Sequence, residues 1–364
     1  MALATLLIFS SMSVLAQLNS SSGDKITYAI PFVLVSTDAR TSAMGDAGAA
    51  ILPLPTSVGV CLAKNAFLED KAGFNMTYTP WLTQLIKDRR LMNLDGYYKI
   101  SKSATLTGSL SYLSYGQFDL IDDNKFSKGS INPAEYVGAL GVSKSFGASF
   151  ALGTNIKYIH SNLYSASEGT AAVQSGNAFA VDISSFHRAE VWLFNKPSHL
   201  AFSLNILNIG PKMAYYFNSE QRYFLPTTLK IGSSLSFGDK DENELNIAFD
   251  VLKMLVPSQF AGAEQPSVLK GILSSFSDSK DGFTGELKEV GISIGAEYIY
   301  KRNIAFRGGY NYRNTITGVG SFLSVGFGFK YKQAAFDLSY VTGNTQNAFL
   351  SDTLRFTLGY SIPN

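Results

Sequence analysis

Apolar and polar residues alternate with a period of two along most of the chain beyond about Phe74, which is the signature of strands with two unlike faces. In 322–331, Leu323, Val325, Phe327, Phe329 and Tyr331 share one face, and Ser324, Gly326, Gly328 and Lys330 share the other. Phe150, Leu152, Ile156 and Tyr158 oppose Ala151, Gly153, Asn155 and Lys157 in the same way, as Leu354, Phe356, Leu358 and Tyr360 oppose Arg355, Thr357, Gly359 and Ser361. The pattern predicts about fourteen strands, near 74–80, 91–100, 104–115, 134–146, 149–160, 177–186, 199–209, 226–237, 245–253, 288–300, 303–313, 321–331, 334–341 and 353–361. Most are longer than the roughly five or six residues usual in soluble sheets and suit a tilted strand crossing a bilayer. A soluble sandwich would have to cover the large outward aromatics and bury the polar face, which is costly. The expected fold is all-β, a transmembrane antiparallel β-barrel of about 14 strands.

The connections support this reading, because long and short ones alternate, as they do between the outer loops and periplasmic turns of outer-membrane barrels. One connection breaks the rule. His187–Ser198 is expected to be a long periplasmic link carrying a short element of its own, and the longest outer loop is expected near Met254–Glu286.

Composition then follows from the architecture. The chain has 364 residues with 16% charged and 46% hydrophobic side chains, 32 Gly, 26 Phe and 19 Tyr, whereas soluble domains carry about 25% charged residues. A net charge of +2 creates no field that recruits nucleic acid. The single Cys61 excludes a disulfide framework and any multi-cysteine metal site. Residues 1–16 read as a signal peptide, with an apolar run ending Val14-Leu15-Ala16. After it no stretch reaches the roughly 18 to 20 apolar residues of a membrane helix, so a membrane crossing has to use strands.

Candidate chemistry is sparse. His160, His187 and His199 have no serine or carboxylate spacing that indicates a hydrolase. No zinc pattern is present, Met44–Gly48 lacks the Lys of a phosphate loop, and Asp119–Asn124 lacks the Gly and Glu of a calcium loop. The expectation is a non-enzyme with no catalytic residues, cofactor or metal. Glu135, Lys157, Asp250, Glu297, Arg307, Asp337 and Arg355 fall on inward positions and are expected to pair across a filled lumen.

Residues 17–72 do not read as barrel strand and are expected to form an N-terminal hatch inside a barrel of residues 73–364. Small residues in Ser42-Ala43-Met44-Gly45-Asp46-Ala47-Gly48 permit close backbone packing, and this stretch resembles the hatch of FadL-type barrels. Ile30 to Gly48, together with Tyr78-Thr79-Pro80-Trp81-Leu82 and Gly96-Tyr97-Tyr98-Lys99-Ile100, resembles the PorV family of type IX secretion barrels. Asn208-Ile209-Gly210-Pro211-Lys212 and Phe224-Leu225-Pro226-Thr227 continue the resemblance. The chain departs from the family pattern at Gly59–Asn65 and at its end, where Tyr360 stands in for a terminal aromatic.

The resemblance implies a hatch motif of Asp38, Arg40, Met44, Gly45, Asp46 and Gly48. It also implies an integral outer-membrane protein that associates with the large translocon barrel SprA and with cargo bearing a type IX C-terminal signal domain. Cargo would pass to a surface attachment complex containing a PorU-like sortase; outer-membrane lipids are the remaining partner. The alternative is a FadL-like hatch-gated transporter of hydrophobic small molecules. Apolar residues in the outer loops mark contact surfaces: Trp81, Leu82, Leu85, Ile86, Met254, Leu255, Val256, Phe260, Ile272, Leu273 and Phe276 are the expected partner contacts.

Overall fold

The computed structural model describes residues 26–80, 89–121, 126–163, 175–193, 195–215, 222–239, 243–258, 266–318, 320–343 and 352–364. Residues 1–25, which include the expected signal peptide, lie outside this set, as do Trp81, Leu82, Leu85, Ile86 and Phe260.

The alternation becomes a closed antiparallel barrel of fourteen strands. In chain order they are β1 (Ala72–Pro80), β2 (Arg90–Lys99), β3 (Ala104–Ser114), β6 (Ala134–Phe146), β7 (Phe150–Asn162), β8 (Gly176–Leu193), β9 (Lys196–Ile209) and β10 (Thr228–Asp239), followed by β11 (Asn243–Met254), β12 (Val290–Tyr300), β13 (Ile304–Tyr312), β14 (Phe322–Tyr331), β15 (Ala334–Gly343) and β16 (Thr353–Ile362). β1 pairs with β16 to close the wall. Closure satisfies the backbone groups that an open edge would leave bare in lipid. Among the described residues no helix is long and apolar enough to cross a membrane.

Along the barrel strands one face is largely apolar and exposed, and the other is buried, with many polar residues. Leu323, Val325, Phe327, Phe329 and Tyr331 point outward, and Ser324 is buried inside. Outward aromatics meet across strands, as Tyr158 does Phe179 at 5.3 Å between ring centroids and Phe306 does Phe327 at 5.8 Å. Such cross-strand pairs hold register in a sheet.

Most expected strand ends fall within two residues of the observed ones, with one correction. His187–Ser198 is no long link: β8 and β9 run through it as a hairpin paired to Leu193 opposite Lys196. Every connection at that end of the barrel is therefore short, from 332–333 to 100–103. The opposite end carries the long loops. One of these, between β3 and β6, contains a separate hairpin of β4 (Phe118–Ile121) and β5 (Ser127–Ile131), which the sequence reading treated as plain loop.

Residues 26–71 precede β1 and fill the lumen. Ile30, Phe32 and Val35 pack against Leu91, Leu113, Val137, Ile159, Phe322 and Val341, which sit near the long-loop ends of six strands. The chain then descends through α1 (Ala39–Ala43) to a 3-10 turn at Ala63–Phe67 and leaves at the short-turn end, where Lys71 N–H donates to the Ile362 carbonyl at 2.9 Å. Two cavities flank it, about 150 Å³ beside Asn93, Asp95 and Lys157 and about 300 Å³ at the short-turn mouth.

Candidate functional site

Two regions carry the residues singled out by sequence: the lumen segment and the face formed by the long loops. In the lumen, Asp38 caps α1. Its carboxylate accepts from Thr41 N–H at 2.7 Å and from the Thr41 hydroxyl at 3.0 Å, satisfying a donor that a helix start leaves open. Ala39 N–H donates to Thr357 Oγ1 at 2.9 Å, which ties the cap to β16.

Arg40 forms a two-point pair with Glu297 of β12, through Nε at 2.9 Å and Nη2 at 2.6 Å, and its Nη1 donates to the Leu52 carbonyl at 3.0 Å. Glu297 also accepts from Arg307 Nε at 2.7 Å and Asn246 Nδ2 at 3.0 Å, while Arg307 Nη1 reaches Asp337 at 2.6 Å. The inward charges expected to pair do so here, and again at Lys230 with Asp250 (3.2 Å) and Lys157 with Asp182 (2.6 Å). Glu135 and Arg355 use neutral partners: Glu135 accepts from Tyr115 and Ser161 hydroxyls at 2.8 and 2.6 Å, and Arg355 Nε donates to Thr79 Oγ1 at 3.1 Å. In a low-dielectric interior such paired charges are specific joints, because an unmatched partner is expensive.

Met44, Gly45 and Asp46 press on the wall of β12 to β14. Gly45 has φ +64°, and its N–H donates to Ser324 Oγ at 2.9 Å while its carbonyl accepts from Asn311 at 3.1 Å. A Cβ there would lie 2.6 Å from Tyr310 N, so both conformation and space demand glycine. Asp46 binds the Ser36 hydroxyl, and its carbonyl accepts from Lys230 Nζ at 2.7 Å. The Gly48 carbonyl accepts from the buried Lys64 ammonium at 2.9 Å. All six residues of the expected hatch motif thus lie in one buried set. Sequence reading named Arg40 and Glu297 separately but could not join them, and Lys64 it treated only as part of a divergent stretch.

The outer loop 255–289 carries α2 (Val268–Ser274) and α3 (Phe283–Lys288). Helical spacing sorts α2 cleanly: Val268 and Gly271 turn inward onto Phe224, while Leu269 and Leu273 turn out. On α3, Gly285 and Glu286 are buried and Phe283 and Leu287 exposed. Leu273 is 74% and Phe283 79% exposed. Among the expected contacts Leu273 and Phe276 are exposed and Ile272 is half-buried. Met254, Leu255 and Val256 correct the expectation: they are buried, Met254 and Val256 in a cluster with Ile26 and Phe224 that covers the apolar run from inside. Leu269, Phe283 and Leu287 were missed, although their i, i+4 spacing was there to read.

Lys253 anchors the loop. Lys253 Nζ lies 2.8 Å from Glu286 and 2.7 Å from Glu289, and Ser258 N–H donates to Asp278 at 3.0 Å. Asp278, Glu286 and Glu289 bring carboxylate oxygens within 4.8 Å of one another, an arrangement in which the Lys253 ammonium already supplies the positive charge. Burial raises the Asp278 and Glu289 carboxyls above the usual carboxylate range, whereas hydrogen bonding from Lys288 holds the exposed Asp281 below it. Lys253→Met should leave the three carboxylates repelling one another at neutral pH. Proteinase K cleavage within 266–289 is expected to rise at pH 8 and to fall back as acid protonates the raised carboxyls; equal cleavage at both pH values would refute the anchor.

The comparisons with known proteins fit this geometry. The family "Type IX secretion system protein PorV" matches residues 18–261, more than half of the chain. The chain belongs to the PorV family. No curated protein matches it significantly. Among solved structures, the Pseudomonas putida toluene transporter TodX matches with a TM-score of 0.52 at 10% identity, covering 90% of this chain and 98% of that one. A TodX deltaS2S3 mutant, a monoaromatic hydrocarbon channel, gives 0.53 at 10% identity, with 90% and 99% covered. At that identity the likeness establishes the shared barrel fold alone. PorV membership and the closed barrel make this an integral outer-membrane protein of the type IX secretion family; in outer-membrane barrels generally the long loops face the outside and the short turns the periplasm. The family is one of protein secretion.

Proposed function

We propose that this PorV-family barrel is a membrane anchor for a protein-binding outer face. In this reading it binds the large translocon barrel SprA, takes up cargo through the C-terminal signal domain and passes it to the PorU-like surface attachment complex. Residues 17–72 act as a hatch that keeps the lumen shut while the loops work. The observation that carries the reading is the set of exposed apolar side chains Leu269 and Leu273 on one short helix, Phe283 and Leu287 on the other, and Phe276 between them, with Lys253 holding Glu286 and Glu289 at the second helix. Exposed apolar clusters of this kind are contact surfaces, and large side chains on a rigid base dominate such contacts.

The test is the double variant Leu273→Asp/Phe283→Asp in the native organism. Co-purification of cargo carrying the signal domain should fall by about tenfold, equivalent to about 1.4 kcal/mol, with barrel insertion unchanged. Undiminished recovery would overturn the loop assignment.

The cavity of about 150 Å³, whose lining includes Phe32, Val33, Leu34 and Leu91 beside Lys157, Asp182 and Lys230, supports a second reading as a hatch-gated transporter of hydrophobic small molecules. Uptake of such a molecule into liposomes containing only this protein would support that reading over the first.

A further inference from the structure

β8 and β9 outrun their neighbours on the periplasmic side. β7 accompanies β8 only to His187, opposite Phe150, and its turn adds one bond, from Arg188 N–H to the Ser149 carbonyl at 2.8 Å. β10 accompanies β9 as far as Ser198, opposite Phe237. Beyond β7 the edge of β8 is bare: Ala189 to Leu193 pair with Leu200 to Lys196 of β9 and, among the described residues, with no other strand. The bare edge is about 17 Å long at roughly 3.4 Å per residue.

The direction of its hydrogen-bonding groups is fixed by Arg188. That residue turns its N–H toward β7, and in an antiparallel strand alternate residues present N–H and C=O to the same side. Glu190 and Trp192 therefore aim their backbone groups out of the free edge. The other edge of the arm is guarded, since Lys196 and Pro197 are both exposed there and proline has no N–H to offer. The β8 edge has no proline to blunt it and carries the single charged side chain of Glu190, and Trp192 beside it is 74% exposed.

Trp192 also faces the wrong way for a lipid anchor. It shares a face with Phe186 and Arg188, and both meet Phe67 of the lumen segment, at 5.9 Å between ring centroids and 4.1 Å from guanidinium to ring. The indole thus lies on the lumen side of the arm, away from the interfacial belt where membrane tryptophans sit.

We propose that the free β8 edge at Ala189–Leu193 docks an extended segment of a periplasmic protein, which adds to β8 as a further strand and seats a side chain on Trp192. Strand addition is the recognition mode that bare edges support. A second copy of this chain does not suit the site. Antiparallel pairing of two like edges would turn one barrel upside down in the membrane, and a two-fold axis along the membrane normal would set N–H against N–H. This inference stands apart from the outer-loop reading, because the two surfaces lie on opposite sides of the membrane.

The test places a photo-crosslinking residue at Ala189 in the full chain, in native outer membranes. Glu190→Pro removes one edge N–H without touching the ladder to β9, and Trp192→Ala removes the seat but leaves the backbone; heat-modifiable migration on gels reports that each barrel has folded. A crosslink to one periplasmic protein, mapped to an extended segment, should drop about tenfold with Glu190→Pro, as expected for loss of one or two hydrogen bonds, and should also drop with Trp192→Ala. Amide exchange gives an independent reading: Glu190 and Trp192 N–H should exchange fast in detergent-purified protein and slowly in native membranes, with Val191 slow in both. A crosslink insensitive to both variants, crosslinks only to lipid or to a second copy, no crosslink at all, or fast edge exchange in native membranes would each overturn the proposal.

Discussion

Glu297→Gln is expected to destabilise the plugged barrel by about 3–5 kcal/mol, the cost of removing one partner from a buried charge pair. Glu297 is fully buried and accepts from Arg40, Arg307 and Asn246. After substitution Arg307 keeps Asp337, but Arg40 loses the carboxylate of its two-point pair and is left with neutral acceptors, the Leu52 carbonyl and the single amide oxygen of the new side chain. The loss should be read in urea as an earlier disappearance of compact migration on gels. The paired replacement Arg40→Met/Glu297→Met should be milder than the single change, since no charge is then stranded. A double variant as damaged as the sum of its singles would show that the pair acts through volume rather than charge.

Gly309→Val should have an effect of similar size by a different route. A Cβ on Gly309 would lie 2.1 Å from the Met44 carbonyl carbon and 2.2 Å from Gly45 N, and Gly295 next to it is almost as crowded. These are backbone atoms held between two strands, so they cannot yield as a flexible side chain would. Valine prefers strand conformation, so the wall itself tolerates it and the lumen segment has to move. The expected result is a folded barrel with residues 39–48 open to protease and an ion conductance in planar bilayers at least about tenfold above that of the unsubstituted protein. A variant that stays closed and resistant would mean that the wall bends instead.

The sequence revealed the wall far better than its contents. Strand positions were legible because lipid on one side and a polar lumen on the other force the same alternation through every turn of the barrel, as in 322–331. The signal fades where lipid ends. In His187-Arg188-Ala189-Glu190-Val191-Trp192 both faces are mixed, so the extension of β8 could not be seen. Met254-Leu255-Val256 looked like a surface patch because nothing local indicates that Ile26 and Phe224 lie over it. The Arg40–Glu297 joint spans 257 positions, and no periodicity connects residues so far apart. The small residues of 42–48 did signal close packing, but only the structure shows that they rest on Gly295 and Gly309.

The route of residues 26–71 bears on how the molecule is assembled. Ile26 N–H donates to the Ile316 carbonyl at 3.1 Å and Ala29 N–H to the Phe224 carbonyl at 2.8 Å, both in loops made much later in the chain. The segment then runs down the interior and emerges to become the first stave, which meets the last stave only at the C-terminus. The closed cylinder therefore encloses a thread of its own chain along its axis. Such long-range contacts are slow to form. A wall closed without its thread would have an empty bore, so seating the thread and closing the last seam are two separate events in assembly.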